Sequence, residues 1–146
     1  MIAIGLDLGT KRIGVAVSDA LGLFAHPRPP IVCSKGEQPK KLVELALAER
    51  PEEVIIGYPL ELSGVRGETA IWAEKFCDKL RGHFSAYPEL KGVKLKLWDE
   101  RLSSVQAERE LSIAGHFGAK AKSMTDSLAA VIILESYLSS KVKDIR

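Results

Sequence analysis

The sequence is poor in cysteine and in long apolar runs. Its 146 residues include two cysteines, Cys33 and Cys77, which form no C-x-x-C motif and have no histidine at zinc-ligand spacing. They predict neither a disulfide framework nor a zinc site, and we expect two small apolar core residues in a reducing cytosol. The longest uncharged apolar run, from Leu128 to Leu134, has seven residues, far short of the roughly 20 that span a bilayer.

A secretion signal and an excess of one charge sign are also missing. The apolar start has no basic segment before it, and Asp7 interrupts it after six residues. We therefore expect a cytoplasmic protein without membrane association. The 21 Lys+Arg and 19 Asp+Glu leave a net charge of +2 at pH 7. This balance argues against binding of nucleic acid by bulk charge but is compatible with a local basic groove.

The composition predicts a single α/β domain over residues 1–146. Hydrophobic residues make up 46% of the chain and charged residues 27%, close to the averages of globular proteins. Apolar runs predict strands over residues 2–8 and 13–18, joined by a short glycine-containing turn into an antiparallel hairpin. A third strand, at a sheet edge, is predicted over residues 31–33.

The rest of the chain alternates helices and strands. Helical spacing predicts helices over residues 38–50, ended by Pro51, and over 68–84. Strands are predicted over residues 54–57 and 93–97, the second with one wet face and so near a sheet edge. A capping box at residues 103–106 opens a helix, a basic loop covers 116–122, and a buried apolar helix begins at Thr125. We expect a mixed five-stranded sheet, with a three-strand antiparallel meander first, flanked by helices.

Asp7 is the most informative residue, because a charge within an apolar strand is unfavourable unless it is paired or holds a metal. It begins the pattern Asp-x-Gly-Thr, residues 7–10. This pattern places a carboxylate beside a tight turn whose backbone amides can face a phosphate. The structural alternative is an aspartate that caps its own turn.

Two further carboxylates complete a candidate site. Glu100 follows the last predicted strand, where α/β sheets carry their sites, although it also fits a solvated turn. Asp126 is in the first turn of the final predicted helix, where it also complements the helix dipole. At one sheet edge, these acids and Asp7 would repel each other unless cations lay between them. Carboxylate oxygens favour Mg²⁺ or Mn²⁺ over zinc, and two such ions fit phosphodiester hydrolysis.

Basic residues fall in predicted turns and loops around the same edge. Each is by default a solvated surface charge, but together with Thr10 they would form a rim that contacts phosphates. The basic candidates are Lys11, Arg12, Arg28, Arg66, Arg101, Lys120 and Lys122. The three histidines, His26, His83 and His116, are expected at the surface or in packing, with His116 a remote candidate for contact with a nucleic-acid backbone.

Four motifs in order along the chain resemble the YqgF (RuvX) family nearly end to end. They are Asp7-Leu-Gly-Thr-Lys-Arg-Ile-Gly-Val-Ala-Val-Ser-Asp19, Gly57-Tyr-Pro59, Asp99-Glu-Arg-Leu-Ser-Ser104 and Asp126-Ser-Leu-Ala-Ala-Val-Ile-Ile-Leu-Glu-Ser-Tyr137. The resemblance implies a ribonuclease H-like fold, related to RuvC-type resolvases, with an acidic triad at Asp7, Glu100 and Asp126. It also implies a nuclease that matures the 5′ end of pre-16S rRNA or, alternatively, a Holliday-junction resolvase in recombination and repair.

Two departures from the family pattern fall in loops. Residues 60–67, Leu-Glu-Leu-Ser-Gly-Val-Arg-Gly, replace a segment that more often has an Asn and an Asp-Gly turn. Ser103-Ser104 replaces a pair that contains threonine. Both changes can affect how loops meet the substrate, but neither removes a carboxylate of the triad.

Two rival functions stay open at this point. Asp-x-Gly-Thr before a hairpin also opens the ATPase fold of actin, sugar kinases and heat-shock ATPases, but that fold needs two such domains and leaves Glu100 unexplained. A non-catalytic nucleic-acid or ribosome-assembly module is the other rival, and the three acids count against it. RNA and DNA substrates are not distinguished. A junction resolvase should dimerise to cut two strands symmetrically, whereas the lack of an obvious dimer face favours a monomer or a weak homodimer.

Overall fold

The structure is a computed structural model that describes residues 1–61, 63–102 and 119–145, with side chains in the last range described from 127 to 141. In these ranges the chain forms a five-stranded sheet with helices on both faces. The strands are β1 (Ala3–Leu8), β2 (Arg12–Ser18), β3 (Ala25–Val32), β4 (Glu53–Tyr58) and β5 (Lys94–Asp99). The helices are α1 (Gln38–Glu49), α2 (Glu68–Ser85) and α3 (Ala119–Ile145).

The strand order in the sheet is β3-β2-β1-β4-β5. The first three strands form an antiparallel meander, and β4 and β5 continue the sheet parallel to β1. The predicted mixed sheet is therefore confirmed, as are the hairpin of the first two strands and the edge positions of the third and fifth.

The two faces of the sheet pack differently because successive residues of a strand point to opposite sides. On one face, Ile4 and Leu6 join a core with α1 and α2 that includes Leu42. On the other face, α3 lies directly on Gly5, where a Cβ would be only 2.7 Å from the Cβ of Leu134. A glycine in the middle of β1 is what lets this helix come so close to the sheet.

The far end of α3 is anchored by a buried carboxylate. Glu53, on β4, accepts hydrogen bonds from the Tyr137 hydroxyl and from Lys141 Nζ, the latter at 3.1 Å. Burial raises the pKa of Glu53, but these hydrogen bonds outweigh it, so that its pKa lies below the usual value. This cluster holds α3 to the edge of the sheet opposite the candidate site.

The edge strand β3 is longer than the predicted residues 31–33, since it runs from Ala25 to Val32. It contains Pro27, Pro29 and Pro30. Because proline has no N–H to donate, these residues had argued against a strand that begins before residue 31. Proline is tolerated here because β3 is an edge strand, whose outward side needs no N–H donor.

The helices α1 and α2 agree with the prediction to within a residue. α1 ends at Glu49, where Arg50 takes a left-handed conformation with φ of 53° and its N–H donates to the Ala46 carbonyl. Pro51 follows and prevents continuation, as predicted.

The final helix begins earlier than predicted, at Ala119 and not at Thr125. Lys120 and Lys122, placed by the sequence in a basic loop, therefore lie in α3. Alanine and lysine are strong helix formers, and no glycine or proline separates them from the apolar part of the helix. The helix predicted to open at residues 103–106 and His116 lie outside the described residues. Within the described ranges, no helix has both the length and the apolar character needed to cross a membrane.

Both cysteines are free thiols. Cys77 packs in the core between α2 and the sheet, as predicted, and burial raises its pKa. Cys33 is only half-buried, so its predicted core position is wrong. It follows the last residue of an edge strand, where one side meets solvent.

Candidate active site

The carboxyl ends of β1, β4 and β5 share one edge of the sheet because these three strands are parallel. Asp7 lies near that end of β1, two residues after Gly5 and therefore on the face that α3 covers. It pairs opposite Gly14 of β2. The register that pairs Leu6 with Ile56 places it level with Gly57 of β4. The half-buried Asp7 thus stands between two positions that have no side chain.

Glu100 lies at the same sheet edge, just after the end of β5. It follows β5 and opens a short 3₁₀ turn, Glu100–Leu102. Its carboxylate lies over Gly57, where a Cβ would be 2.6 Å from Glu100 Oε1 and 2.8 Å from Ile133 Cδ1. Adjacent strands are about 4.8 Å apart, so a carboxylate above β4 is one strand away from Asp7. The structure therefore brings two of the three predicted acids to one edge.

Asp126 lies in α3, and its side chain is outside the described residues. The neighbouring Ser127 donates a hydrogen bond of 2.6 Å to the Arg28 carbonyl of β3. Four residues after Asp126, the Ala130 carbonyl lies 2.9 Å from the Cβ position of Gly5. The first half of α3 therefore crosses the sheet from β3 to β1, and Asp126 is one helical turn from the contact with β1.

The donor atoms at this sheet edge suit a hard cation. Asp7 and Glu100 offer carboxylate oxygens, which Mg²⁺ and Mn²⁺ prefer. Gly57 lets the Glu100 carboxylate come this close to β4, since a Cβ there would be only 2.6 Å from Glu100 Oε1. Among the residues whose side chains are described, no group of three or more His, Cys, Asp or Glu is placed to hold a metal ion. Asp126, the third acid of the predicted triad, is not among them.

The turn between β1 and β2 borders the acids. A Cβ at Gly9 would lie 2.5 Å from the Arg12 carbonyl oxygen, so the turn can close this tightly only with glycine. Thr10 and Lys11 are exposed at its tip, and Arg12 is half-buried as the first residue of β2. The Cys33 N–H braces the turn with a hydrogen bond of 3.1 Å to the Lys11 carbonyl.

Arg66 is held in an ion pair. Its Nε and Nη2 lie 2.7 and 2.5 Å from the two carboxylate oxygens of Glu74 in α2. Tyr58, at the end of β4, donates its hydroxyl to the same carboxylate. Arg66 and then Tyr58 lower the pKa of Glu74, and the hydrogen bond to Glu74 raises the pKa of Tyr58. The cluster fastens the loop between β4 and α2 beside the sheet edge.

Arg101 is likewise paired, with Asp99. Its Nε and Nη2 approach the Asp99 carboxylate at 3.1 and 2.7 Å, and this hydrogen bonding lowers the pKa of Asp99. The same guanidinium contacts the loop after β4, since Arg101 Nη1 is 3.3 Å from the Cβ position of Gly64. The pair ties the segment that carries Glu100 to that loop.

The other basic residues that were predicted to contact phosphates, and the histidines, lie farther apart along the chain. Arg28 lies in β3 rather than in a loop, and its Nη2 is 3.4 Å from Glu49 Oε1. Lys120 and Lys122 are placed only by their positions in α3. His26 and His83 are exposed, as predicted.

Sequence reasoning did not identify the partners that organise this edge. Gly57 carried a signal, because a glycine inside a buried strand marks a close approach. Glu74 and Gln38 carried none: the first is one of many charges on an amphipathic helix, and the second is a polar residue of a type usually exposed. Gln38 is fully buried and contacts the turn between β1 and β2.

Comparison with protein families gives one matching description. Residues 1–140 match the family model RuvX, described as Holliday junction resolvase. A curated relative from Escherichia coli O139:H28, named as a candidate pre-16S rRNA nuclease, is 41% identical over 135 residues. The match covers 92% of this chain and 93% of the relative.

Solved structures with similar folds include two of RuvC from Thermus thermophilus. RuvC of Thermus thermophilus in complex with a Holliday junction substrate has a TM-score of 0.58 at 16% identity, covering 97% of this chain and 96% of that one. A second structure of Thermus thermophilus RuvC has a TM-score of 0.54 at 15% identity, covering 98% of this chain and 97% of that one. These likenesses confirm the ribonuclease H-like fold that the sequence motifs implied.

Proposed function

This chain belongs to the RuvX family and is a nuclease, and from that premise we propose that it matures the 5′ end of pre-16S rRNA by metal-dependent hydrolysis of a phosphodiester bond. The observation that carries the proposal is that Asp7 and Glu100 lie at one sheet edge, with the Glu100 carboxylate packed on Gly57 and Asp7 level with Gly57 on the neighbouring strand. Relatives at 41% identity over 92% of the chain bear the name of a pre-16S rRNA nuclease, which favours RNA as the substrate.

We assign the catalytic and metal-binding roles to Asp7, Glu100 and Asp126. We include Asp126 because it is four residues before Ala130, which lies against Gly5 of β1. Residues at that spacing share a helix face. Two Mg²⁺ or Mn²⁺ ions held by these carboxylates would activate water and stabilise the leaving oxygen. The chain itself supplies fixed geometry, since Asp7 is held by the strand ladder and Glu100 by its packing over Gly57.

We further propose that Thr10, Lys11 and Arg12 bind the phosphates next to the scissile bond, because their turn adjoins Asp7. Arg66 pairs with Glu74 and Arg101 pairs with Asp99, and these pairs order the loops on the other side of the site. Because their charges are partly neutralised, the two arginines contact the phosphates of the nucleic acid more weakly. Lys120 and Lys122 would extend the contact along the start of α3. The two free thiols suit the reducing cytoplasm, where we place the protein.

Cleavage of a four-way DNA junction is the second candidate, favoured by the description of the family model. A resolvase must cut two strands symmetrically and therefore has to act as a dimer. The rRNA substrate makes no such demand and is compatible with a monomer or a weak homodimer.

The test compares Mg²⁺-dependent cleavage of a single-stranded precursor RNA with that of a four-way DNA junction. We expect RNA cleavage by the wild type and a loss of at least about a hundredfold in Asp7→Asn. Asp78→Asn is the matched control, because Asp78 lies on α2 with its side chain 78% exposed, and it should cleave normally. Activity retained in Asp7→Asn would contradict the assigned site. Cleavage of junctions alone would contradict the RNA assignment, and binding without cleavage would support a non-catalytic module.

A further inference from the structure

Gln38 is an unusual buried residue at the start of α1. Its side chain is fully buried, with a relative exposure of 0%. Its Nε2 donates to the carbonyl oxygens of Gly9 and Thr10, at 2.9 and 3.3 Å. Its Oε1 is buried without a hydrogen-bond partner in the described part of the chain. The bonds that this side chain makes to the protein are therefore those of its Nε2, to two carbonyls of one turn.

The orientation of this amide is determined by its neighbours. Carbonyl oxygens only accept hydrogen bonds, so the atom that faces Gly9 and Thr10 has to be the NH₂ group. Two carbonyls of the turn are therefore drawn inward, towards the core. Neither Glu nor Met at position 38 could replace both bonds, since a carboxylate accepts and a thioether does not donate.

The inward carbonyls fix where the adjoining N–H groups point. In a trans peptide the C=O of one residue and the N–H of the next point in opposite directions, and no cis peptide is present in the described residues. The Thr10 and Lys11 N–H groups therefore point away from Gln38, to the exposed side of the turn. Consecutive N–H groups directed outward from a turn form an anion-binding concavity.

We propose that Gln38 is a positioning residue that aims the Thr10 and Lys11 N–H groups at a phosphate of the bound strand. This inference rests on the proposed function and deepens it, since it names the backbone atoms that hold the substrate and the buried side chain that orients them. Gln38 itself does not touch the substrate. Because the contact is made by backbone N–H groups, it reads phosphate and not base identity.

The first test needs no variant. The dinucleotide UpU, which contains a single phosphodiester, is titrated into ¹⁵N-labelled protein with Mg²⁺ at low temperature, before measurable hydrolysis. We expect the amide signals of Thr10 and Lys11 to shift downfield in a saturable way. The uncharged methylphosphonate analogue of UpU should leave them unmoved. Amide signals of Thr10 and Lys11 that do not respond to UpU would overturn the proposal.

The second test separates positioning from stability. Gln38→Met keeps the length of the side chain and removes the donor, and we expect about a tenfold rise in the Kd for single-stranded RNA. The rise should appear in KM more than in kcat, and Tm should fall less than it does in Leu42→Ala. Leu42→Ala is the control, because Leu42 is a buried residue of the same helix that should lower Tm without changing Kd. Equal Kd values for Gln38→Met and wild type would contradict the role of Gln38.

The outcomes also separate this inference from the proposed function. RNA cleavage that depends on Asp7, with silent Thr10 and Lys11 amides, would remove the inference and leave the nuclease intact. If the Thr10 and Lys11 amides respond to UpU, and UpU binds more weakly to Gln38→Met, but no RNA is cleaved, the inference would stand and the proposed nuclease function would fail. A Gln38→Met protein that fails to fold is replaced by Gln38→Asn, whose amide is one methylene shorter and cannot reach both carbonyls, so that Kd should again rise.

Discussion

Replacement of Gly57 by alanine adds one methyl group to the centre of the proposed site and removes no functional atom. The new Cβ would lie 2.6 Å from Glu100 Oε1 and 2.8 Å from Ile133 Cδ1. Both distances are too short for real contacts, so one or both neighbours must move. Ile133 belongs to α3 and is fully buried against the sheet. The Glu100 carboxylate is the end of a flexible side chain, so we expect it to move first.

The size of the effect follows from these distances. For ordinary contact at 3.4 Å, the Glu100 oxygen has to retreat by roughly 0.8 Å. A misplacement of about 1 Å in a catalytic group can lower the rate by about a hundredfold. Overpacking against Ile133 should lower the free energy of unfolding by about 1–3 kcal/mol, and each kcal/mol lowers Tm by about 2–4 °C at this chain length. Gly57→Ala should therefore remain folded and lose most of its activity.

The assay is single-turnover cleavage of the precursor RNA, measured well below the Tm of the variant. Gly82→Ala is the matched control, because a Cβ at Gly82 in α2 meets no atom within 4 Å. It should gain roughly 0.5–1 kcal/mol of stability and cleave normally. A folded Gly57→Ala protein with wild-type activity would refute the reasoning, since Glu100 could then not be working from above Gly57.

Changes at three other positions test the packing and charges around the site. Gly5→Ala puts a Cβ 2.7 Å from the Cβ of Leu134 and should lower the free energy of unfolding, measured by thermal denaturation, by about 1–3 kcal/mol. In the control Gly36→Ala the new Cβ meets nothing within 4 Å, and the loss should be less than about 0.5 kcal/mol. Equal losses in the two variants would contradict the close packing of α3. Because the folded pKa of Glu53 is lowered, its stabilisation is present above the unfolded value near 4.5 and is lost as pH falls. Glu53→Gln should thus be less stable than wild type at pH 7 in urea unfolding, with a difference that shrinks at acid pH, and a difference independent of pH would contradict this. Glu74→Gln removes the charge that neutralises Arg66 and should therefore bind RNA more tightly. The slope of log K against log salt concentration, measured by fluorescence anisotropy, should become steeper by about 0.7. An unchanged slope would show that Arg66 does not reach phosphate.

The parts of the fold that the sequence predicted are those with a strong local period. α1 and α2 have apolar faces at helical spacing, and the hairpin of β1 and β2 has dense apolar runs around a short turn. The start of β3 was not predictable in this way, because Pro29 and Pro30 are acceptable only once the strand is known to lie at an edge. The start of α3 was missed because Lys120 and Lys122 directly follow a segment that contains Gly115 and Gly118, and the whole stretch was interpreted as a basic loop.

The site shows a similar division. Asp7 was identified from the sequence because a carboxylate within an apolar strand is unfavourable unless it is paired or binds a metal. The approach of Glu100 to Gly57 depends on the register of β4 and β5, which no local pattern contains. Arg66 and Arg101 were identified as cations, but their partners are set by loop geometry. Gln38 has no signature, since only the fold shows that it is buried.

The central claim, that the acids at this sheet edge bind a divalent cation, is tested most directly by paramagnetic broadening with Mn²⁺. Substoichiometric Mn²⁺ is added to ¹⁵N-labelled protein without nucleic acid, and the amide signals are followed. We expect the signals of Asp7, Gly57 and Glu100 to broaden before those elsewhere, and Asp7→Asn to abolish this effect. Broadening centred elsewhere, or unchanged in Asp7→Asn, would contradict it.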